Sequence, residues 1–328
     1  MSVFGKMPDG TPVKRVTISG GGLTANVLTY GAILQDLRLE GHDTSLVLGF
    51  ETFAPYLTDS PYCGATAGRC ANRIRDGHLE LSGKTYELDR NFLGNHSLHG
   101  GAVSMGKRVW TLEDVSDDSV TLSILLEDGE MGYPGNLTAH VTFSLLANGV
   151  FDVQMTAETD APTLCNLAHH SYFNLGEETV SNHLLQVDAE NYLPVDDELI
   201  PTGEIAPVAA TRFDFRSPSP VHQSFPVDHN FCLSYAQTVI RHIATLSSTA
   251  SGVTMAVRST EPGLQVYDGA KINIGPPGLQ GREMRAHAGI ALEPQIWPDA
   301  NHHADFPQAV LNPGETYRQH SQFIFSKG

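Results

Sequence analysis

The chain is short of cysteine, charge, tryptophan and long apolar runs, and each shortage narrows what it can be. Its 328 residues include four cysteines, Cys63, Cys70, Cys165 and Cys232, and no C-x-x-C pair. That spacing signals neither a thioredoxin-like redox motif nor a paired-cysteine zinc site. Four reduced, mostly buried thiols are expected instead. Lysine and arginine number 20 against 37 acidic residues, a net charge of −17. Nucleic acid and anionic lipid both require clustered cations, so neither is an expected partner. No stretch approaches the about 20 apolar residues of a membrane span. Residues 1–18 hold no apolar run of signal-peptide length. A soluble, cytoplasmic protein is expected.

What the chain does have is strand periodicity. Leu137, Ala139, Val141, Phe143 and Leu145 alternate with polar or small residues. After Asn148-Gly149 the alternation resumes at Phe151, Val153, Met155 and Ala157. Two period-2 runs joined through Asn-Gly predict a β-hairpin with one buried face. Similar short runs lie at Val13–Ile18, Val120–Leu126, Val253–Val257 and Phe323–Phe325. The 31 glycines and 19 prolines punctuate the chain evenly, and no sustained helical stripe appears. No linker, charge block or internal repeat marks a boundary. The pattern predicts an all-β fold, a large antiparallel sandwich with few short helices, forming one domain over residues 1–328.

Against this background, polar groups cluster in widely separated segments. They are Asn72-Arg73, Ser97-Leu98-His99-Gly100-Gly101, His170-Ser171-Tyr172-Phe173-Asn174-Leu175 and Leu292-Glu293-Pro294-Gln295. They supply a carboxylate, two imidazoles and a guanidinium, without an evident activated nucleophile. That inventory suits general acid–base proton transfer on a neutral polar substrate. Glu293 ends an apolar, strand-like run, and burial there would raise its pKa toward neutrality. His169 and His170 are adjacent on a strand and must point to opposite faces, so one of them lines a site.

The wording of these segments resembles the aldose 1-epimerases, the galactose mutarotase family. The likeness runs from Tyr30-Gly31-Ala32 to Leu311-Asn312-Pro313-Gly314-Glu315. It passes through Gly129-Glu130-Met131-Gly132-Tyr133-Pro134-Gly135 and Ile200-Pro201-Thr202-Gly203-Glu204. It departs most over Asp268–Arg285, and in Cys70 and His169. The resemblance implies the many-stranded β-supersandwich of the mutarotases, and opening and reclosure of a cyclic aldose without a cofactor or metal. It implies Glu293 as the base and His170 as the acid. For sugar binding it implies His99, Arg73, Asn72, Asp228 (in Pro226-Val227-Asp228-His229-Asn230) and Gln265. Arg69 is an alternative contact to Arg73. Gly100 and Gly101 would let backbone approach the ligand. His169 is expected to be packed or solvated, and His96 to be an exposed loop residue.

The expected partner is a small aldose, and the chain is expected to be a monomer or homodimer. Four rival readings keep part of this picture. A metal hydrolase could use Asp299, His302, His303 and Asp305, yet no His-Glu-x-x-His spacing occurs. A non-catalytic carbohydrate-binding protein would rely on stacking aromatics, and only Trp110 and Trp297 are tryptophans. A hexose-6-phosphate mutarotase would need clustered cations near the site. A glycosidase would need two carboxylates, for which Asp228 is the second candidate.

Overall fold

In the computed structural model, which describes residues 1–60, 62–221 and 226–328, antiparallel strands dominate. The α-helix among the described residues is one turn and a half, Ala54–Thr58. The predicted hairpin forms: Leu137–Leu146 pairs with Val150–Thr159 in continuous register. Asn148 and Gly149 both adopt positive φ, 65° and 73°, as a tight connection between twisted strands demands. All the alternating apolar residues of the hairpin are buried. Asp152, expected to face water, is buried as well. The neighbouring strand Tyr317–Lys327 covers it with His320 and Gln322, whose Nε2 atoms lie 2.6 and 2.8 Å from its Oδ1.

The hairpin lies in a nine-stranded antiparallel sheet together with Ser119–Leu126, Tyr317–Lys327 and Val253–Ser259. Each of the four other expected runs falls inside a strand. A second, six-stranded sheet packs against the inner face of the first. Its spatial order is Tyr172–Phe173, Ile290–Gln295, Gly263–Tyr267, Asp228–Cys232, Asn191–Tyr192 and Ala206–Pro207. Phe173 meets Phe323 of the larger sheet with ring centroids 4.9 Å apart. Leu264, Val266 and Leu292 join the same buried core. The result is the expected sandwich, and the four cysteines are free and buried within it.

Arg69 belongs to the framework. Its guanidinium is buried and donates to the carbonyls of Pro134 (2.9 Å) and Gly135 (2.7 Å). It also donates to Thr163 Oγ1 and to the carbonyls of Leu126 and Glu127, each at 3.3 Å. The planar fork therefore fastens one edge of the larger sheet to the Gly68–Ala71 loop. Removing it leaves buried carbonyls without donors. Arg69→Met is expected to lower unfolding free energy by roughly 2–4 kcal/mol, measured by urea denaturation.

Candidate active site

The six-stranded sheet turns a row of polar side chains toward a cleft. Cross-strand pairing places Asp228 opposite Tyr267, Asn230 opposite Gln265, and Gln265 opposite Glu293. Alternation along each strand puts these side chains on one face and Leu264, Val266 and Leu292 on the other. Two further segments complete the walls. Ala168–His170 pairs with Ala65–Ala67, and Arg73–Ile74 pairs with Ser97–Leu98, which brings His99 beside Asn72. The cleft measures about 200 Å³. That is below the roughly 300–1,000 Å³ typical of drug-sized ligands, and it suits a molecule the size of a single sugar ring. All seven residues expected at the site line it: Asn72, Arg73, His99, His170, Asp228, Gln265 and Glu293.

At its floor His170 Nε2 lies 3.6 Å from Glu293 Oε1, with both side chains almost wholly buried. Glu293 Oε2 and His170 Nδ1 have no hydrogen-bond partner within the protein. Burial pushes the Glu293 carboxyl up to about 8, and the nearby Asp228 carboxylate adds to the rise. Burial brings the His170 imidazole down to about 4. Across the neutral range the two groups therefore hold one proton, on the Glu293 carboxyl.

His99 is fixed in one tautomer. Its Nδ1 accepts from the backbone N–H of Asn72 at 3.1 Å, while the backbone N–H of His99 donates to Asn72 O at 2.9 Å. Burial holds its pKa well below the ordinary value, so the neutral ring carries its proton on Nε2. Asn72 adopts φ 62° and His99 φ 50°, left-handed conformations that this reciprocal pair sustains. The Tyr62 ring covers both imidazoles, 4.6 Å from His99 and 6.0 Å from His170.

Arg73 is not the free fork expected from sequence. One nitrogen donates to Asp228 Oδ2 at 3.0 Å and another to Asn72 Oδ1 at 3.4 Å. Its guanidinium lies 4.7 Å from the Phe92 ring centroid. Gln265 Nε2 donates to Asp228 Oδ1 at 2.6 Å, so Asp228 is oriented from two sides. Each carboxylate oxygen keeps a further lone pair for a ligand hydroxyl.

Other expectations sort differently. His169 turns to the core among Phe143, Phe151 and Phe323 and bonds Ser171 Oγ at 2.8 Å. His96 is buried rather than an exposed loop residue: its Nδ1 accepts from Asp76 N–H at 2.9 Å and its Nε2 lies 3.1 Å from Glu198. Gly100 and Gly101 do not approach the cleft. A Cβ on Gly100 would stand 2.2 Å from Gly68 O, so this glycine permits loop-on-loop packing next to Arg69. Asp299 accepts from Arg75 N–H at 2.8 Å and pairs with His302 at 2.7 Å. Among the described residues no three His, Cys, Asp or Glu side chains converge as metal ligands. Of the divergent 268–285 segment, Lys271 reaches the cleft rim, while residues 279–285 border a separate hollow with Glu177 and Glu178.

Tyr62, Phe92, Tyr172, Leu199 and Tyr267 also line the cleft. Tyr172 and Tyr267 lie inside recognisable motifs. Tyr62, Phe92 and Leu199 come from loops whose meeting depends on the tertiary fold.

A family model described as aldose 1-epimerase matches residues 14–323. The galactose mutarotases of Sus scrofa and Homo sapiens are each 38% identical over 99% of this chain and 98% of their own length. The aldose 1-epimerase of Escherichia coli is 32% identical over 97% of this chain and 96% of its own. Among solved structures, an aldose epimerase homologue from C. elegans superposes with a TM-score of 0.90 at 30% identity. That alignment covers 96% of this chain and 99% of the other. These likenesses and the cleft define a carbohydrate isomerase of the mutarotase-like fold. The chain belongs to the aldose 1-epimerase family, and its reaction is the interconversion of the α and β anomers of an aldose.

The buried ionisable groups set how stability varies with pH. His169 is lowered to about 3, and His170, His183 and His229 to about 4, all chiefly by burial. Below the ordinary 6.5 the unfolded chain binds protons that these native imidazoles refuse, so acidification destabilises. Glu261 and Glu293 are raised by burial to about 7 and about 8. Their native forms keep a proton that the unfolded chain releases above the ordinary 4.5, so stability is lost as pH rises through 7–8. The imidazoles outnumber the carboxyls below pH 6.5, and the carboxyls act alone above it. Tm is therefore expected to rise from pH 4.5 to about 6.5 and to decline toward pH 8. Glu293→Gln should flatten the alkaline descent in calorimetric scans.

Proposed function

We propose that the substrate is a free, uncharged aldose, and that Glu293 and His170 carry out the acid–base work. The observation that carries this reading is the buried carboxylate–imidazole pair, 3.6 Å apart at the floor of a sugar-sized cleft. Glu293 takes the proton of the C1 hydroxyl as the C1–ring oxygen bond breaks. Imidazolium His170 gives its proton to the departing ring oxygen. The open aldehyde turns about C1–C2, and the ring oxygen attacks the other face as both protons return. No electron or group leaves the substrate, so the chemistry requires no cofactor.

After ring opening the carboxyl is protonated and the imidazole neutral, which is the arrangement favoured in the empty site. Substrate shifts the same single proton onto His170 to begin the cycle. The His99 Nε2–H donates to the ring oxygen or a neighbouring hydroxyl, and Asp228 accepts from hydroxyls while Arg73 and Gln265 hold it. Arg73 is already committed to Asp228, which favours a neutral sugar over a hexose 6-phosphate.

Polarimetry of freshly dissolved α-D-galactose and α-D-glucose tests the reaction against an enzyme-free control. Glu293→Gln and His170→Asn are each expected to lower kcat by about 10²–10⁴-fold. Activity surviving in Glu293→Gln would discard this base. The one-proton window also predicts a bell-shaped kcat/KM, with an acid limb near 4 and a basic limb near 8 set by the pair. A profile without a basic limb would overturn the assignment of Glu293.

A further inference from the structure

The 3.6 Å separation of His170 and Glu293 is not set by pairing of their own backbones. Ala168–His170 pairs with Ala65–Ala67, and not with the Glu293 strand. The chain joins the Glu293 strand only afterwards, where Tyr172 and Phe173 pair with Ala291 and Ile290. Beyond that ladder the Glu293 strand reaches Pro294, which has no N–H to offer. From there on, side-chain amides stand in for the missing ladder.

Gln319, buried on the long Tyr317–Lys327 strand, donates through Nε2 to Pro294 O at 2.7 Å and to Leu167 O at 2.9 Å. Asn166 forms a closed two-way pair with the backbone just past the strand. Its Nδ2 donates to Ile296 O at 3.1 Å, and its Oδ1 accepts from Ile296 N–H at 2.9 Å. The main chain of Asn166 also grips the loop leading to Asn72 and Arg73: its N–H donates to Arg69 O at 2.9 Å, and its carbonyl accepts from Ala71 N–H at 2.7 Å. Both amides are almost wholly excluded from solvent.

We propose that Asn166 and Gln319 form an amide clasp that positions the acid–base pair, holding the His170 segment against the Glu293 strand where no backbone ladder joins them. They are positioning residues. Neither lines the cleft, and their effect reaches the substrate through His170, Glu293 and the Arg73 loop. The inference rests on Glu293 and His170 being the reacting pair.

A clasp that sets distance has a signature that mere support of the fold lacks. Loosening it separates acid from base and admits water to the floor. Better solvation lowers the Glu293 pKa and raises that of His170, so both limbs of the pH profile move inward. Gln319→Met keeps the volume and removes the donor. It is expected to lower kcat by about 10- to 100-fold with KM within about twofold, and to narrow the bell from both sides. Asn166→Ser should do the same and carries the test if Gln319→Met does not fold. Measurements are made well below each variant's Tm. Wild-type kcat, or a reduced kcat with both limbs unmoved, would overturn the clasp. Failure of the underlying reading shows elsewhere, as an inactive wild type or an active Glu293→Gln.

Discussion

Exclusion of water from the Glu293–His170 pair is the constraint on which the rest of this structure depends. A carboxyl in water is ionised at neutral pH, and an imidazole is charged for about a quarter of the time. Placed together under Tyr62 and against the core, their affinities move apart, to about 8 and about 4. Across the neutral range the pair then keeps one proton, on the Glu293 carboxyl, and neither group is charged in the empty site. That poise requires Glu293 Oε2 and His170 Nδ1 to stay without partners inside the protein. Buried polar atoms left in this way destabilise a fold, so the site draws on stability created elsewhere.

The surrounding architecture supplies that stability and limits movement. The six-stranded sheet is rigid because its other face packs on a nine-stranded sheet through Phe173 and Phe323. Three of its strands then present Asp228, Gln265 and Glu293 in register, with spacings set by strand geometry. Loops provide the groups that need an unusual backbone. The reciprocal Asn72–His99 pair holds both residues at positive φ and so chooses the histidine tautomer. Charge inside the cleft is balanced locally, Arg73 against Asp228, so a neutral ligand meets oriented donors and acceptors without an unpaired ion.

Much of this was legible along the chain. Period-2 alternation placed the hairpin, because one buried face imposes it on any amphipathic strand. Glu293 stood out as an acid closing an apolar run, and strand alternation meant that only one of His169 and His170 could face the cleft. Other features were misread for physical reasons. His96 looked like a loop histidine, yet Glu198, about a hundred residues on, folds over it. Gly100 looked like a ligand contact, yet Gly68 O occupies the space its side chain would need. Only motif register set Arg73 above Arg69, until one was seen to bind Asp228 and the other backbone carbonyls.

The sequence by itself determined the all-β class, the reduced buried thiols, the family and the chemical types gathered at the site. These follow from composition, periodicity and local motifs, which depend on near neighbours in the chain. The tertiary structure alone decided the 3.6 Å approach of His170 and Glu293, the burial that sets their proton affinities, and the aromatic roof of Tyr62. It also decided the hydrogen bonds of the Asn166 and Gln319 side-chain amides. Distances and desolvation arise between segments far apart in sequence, and no local pattern encodes them.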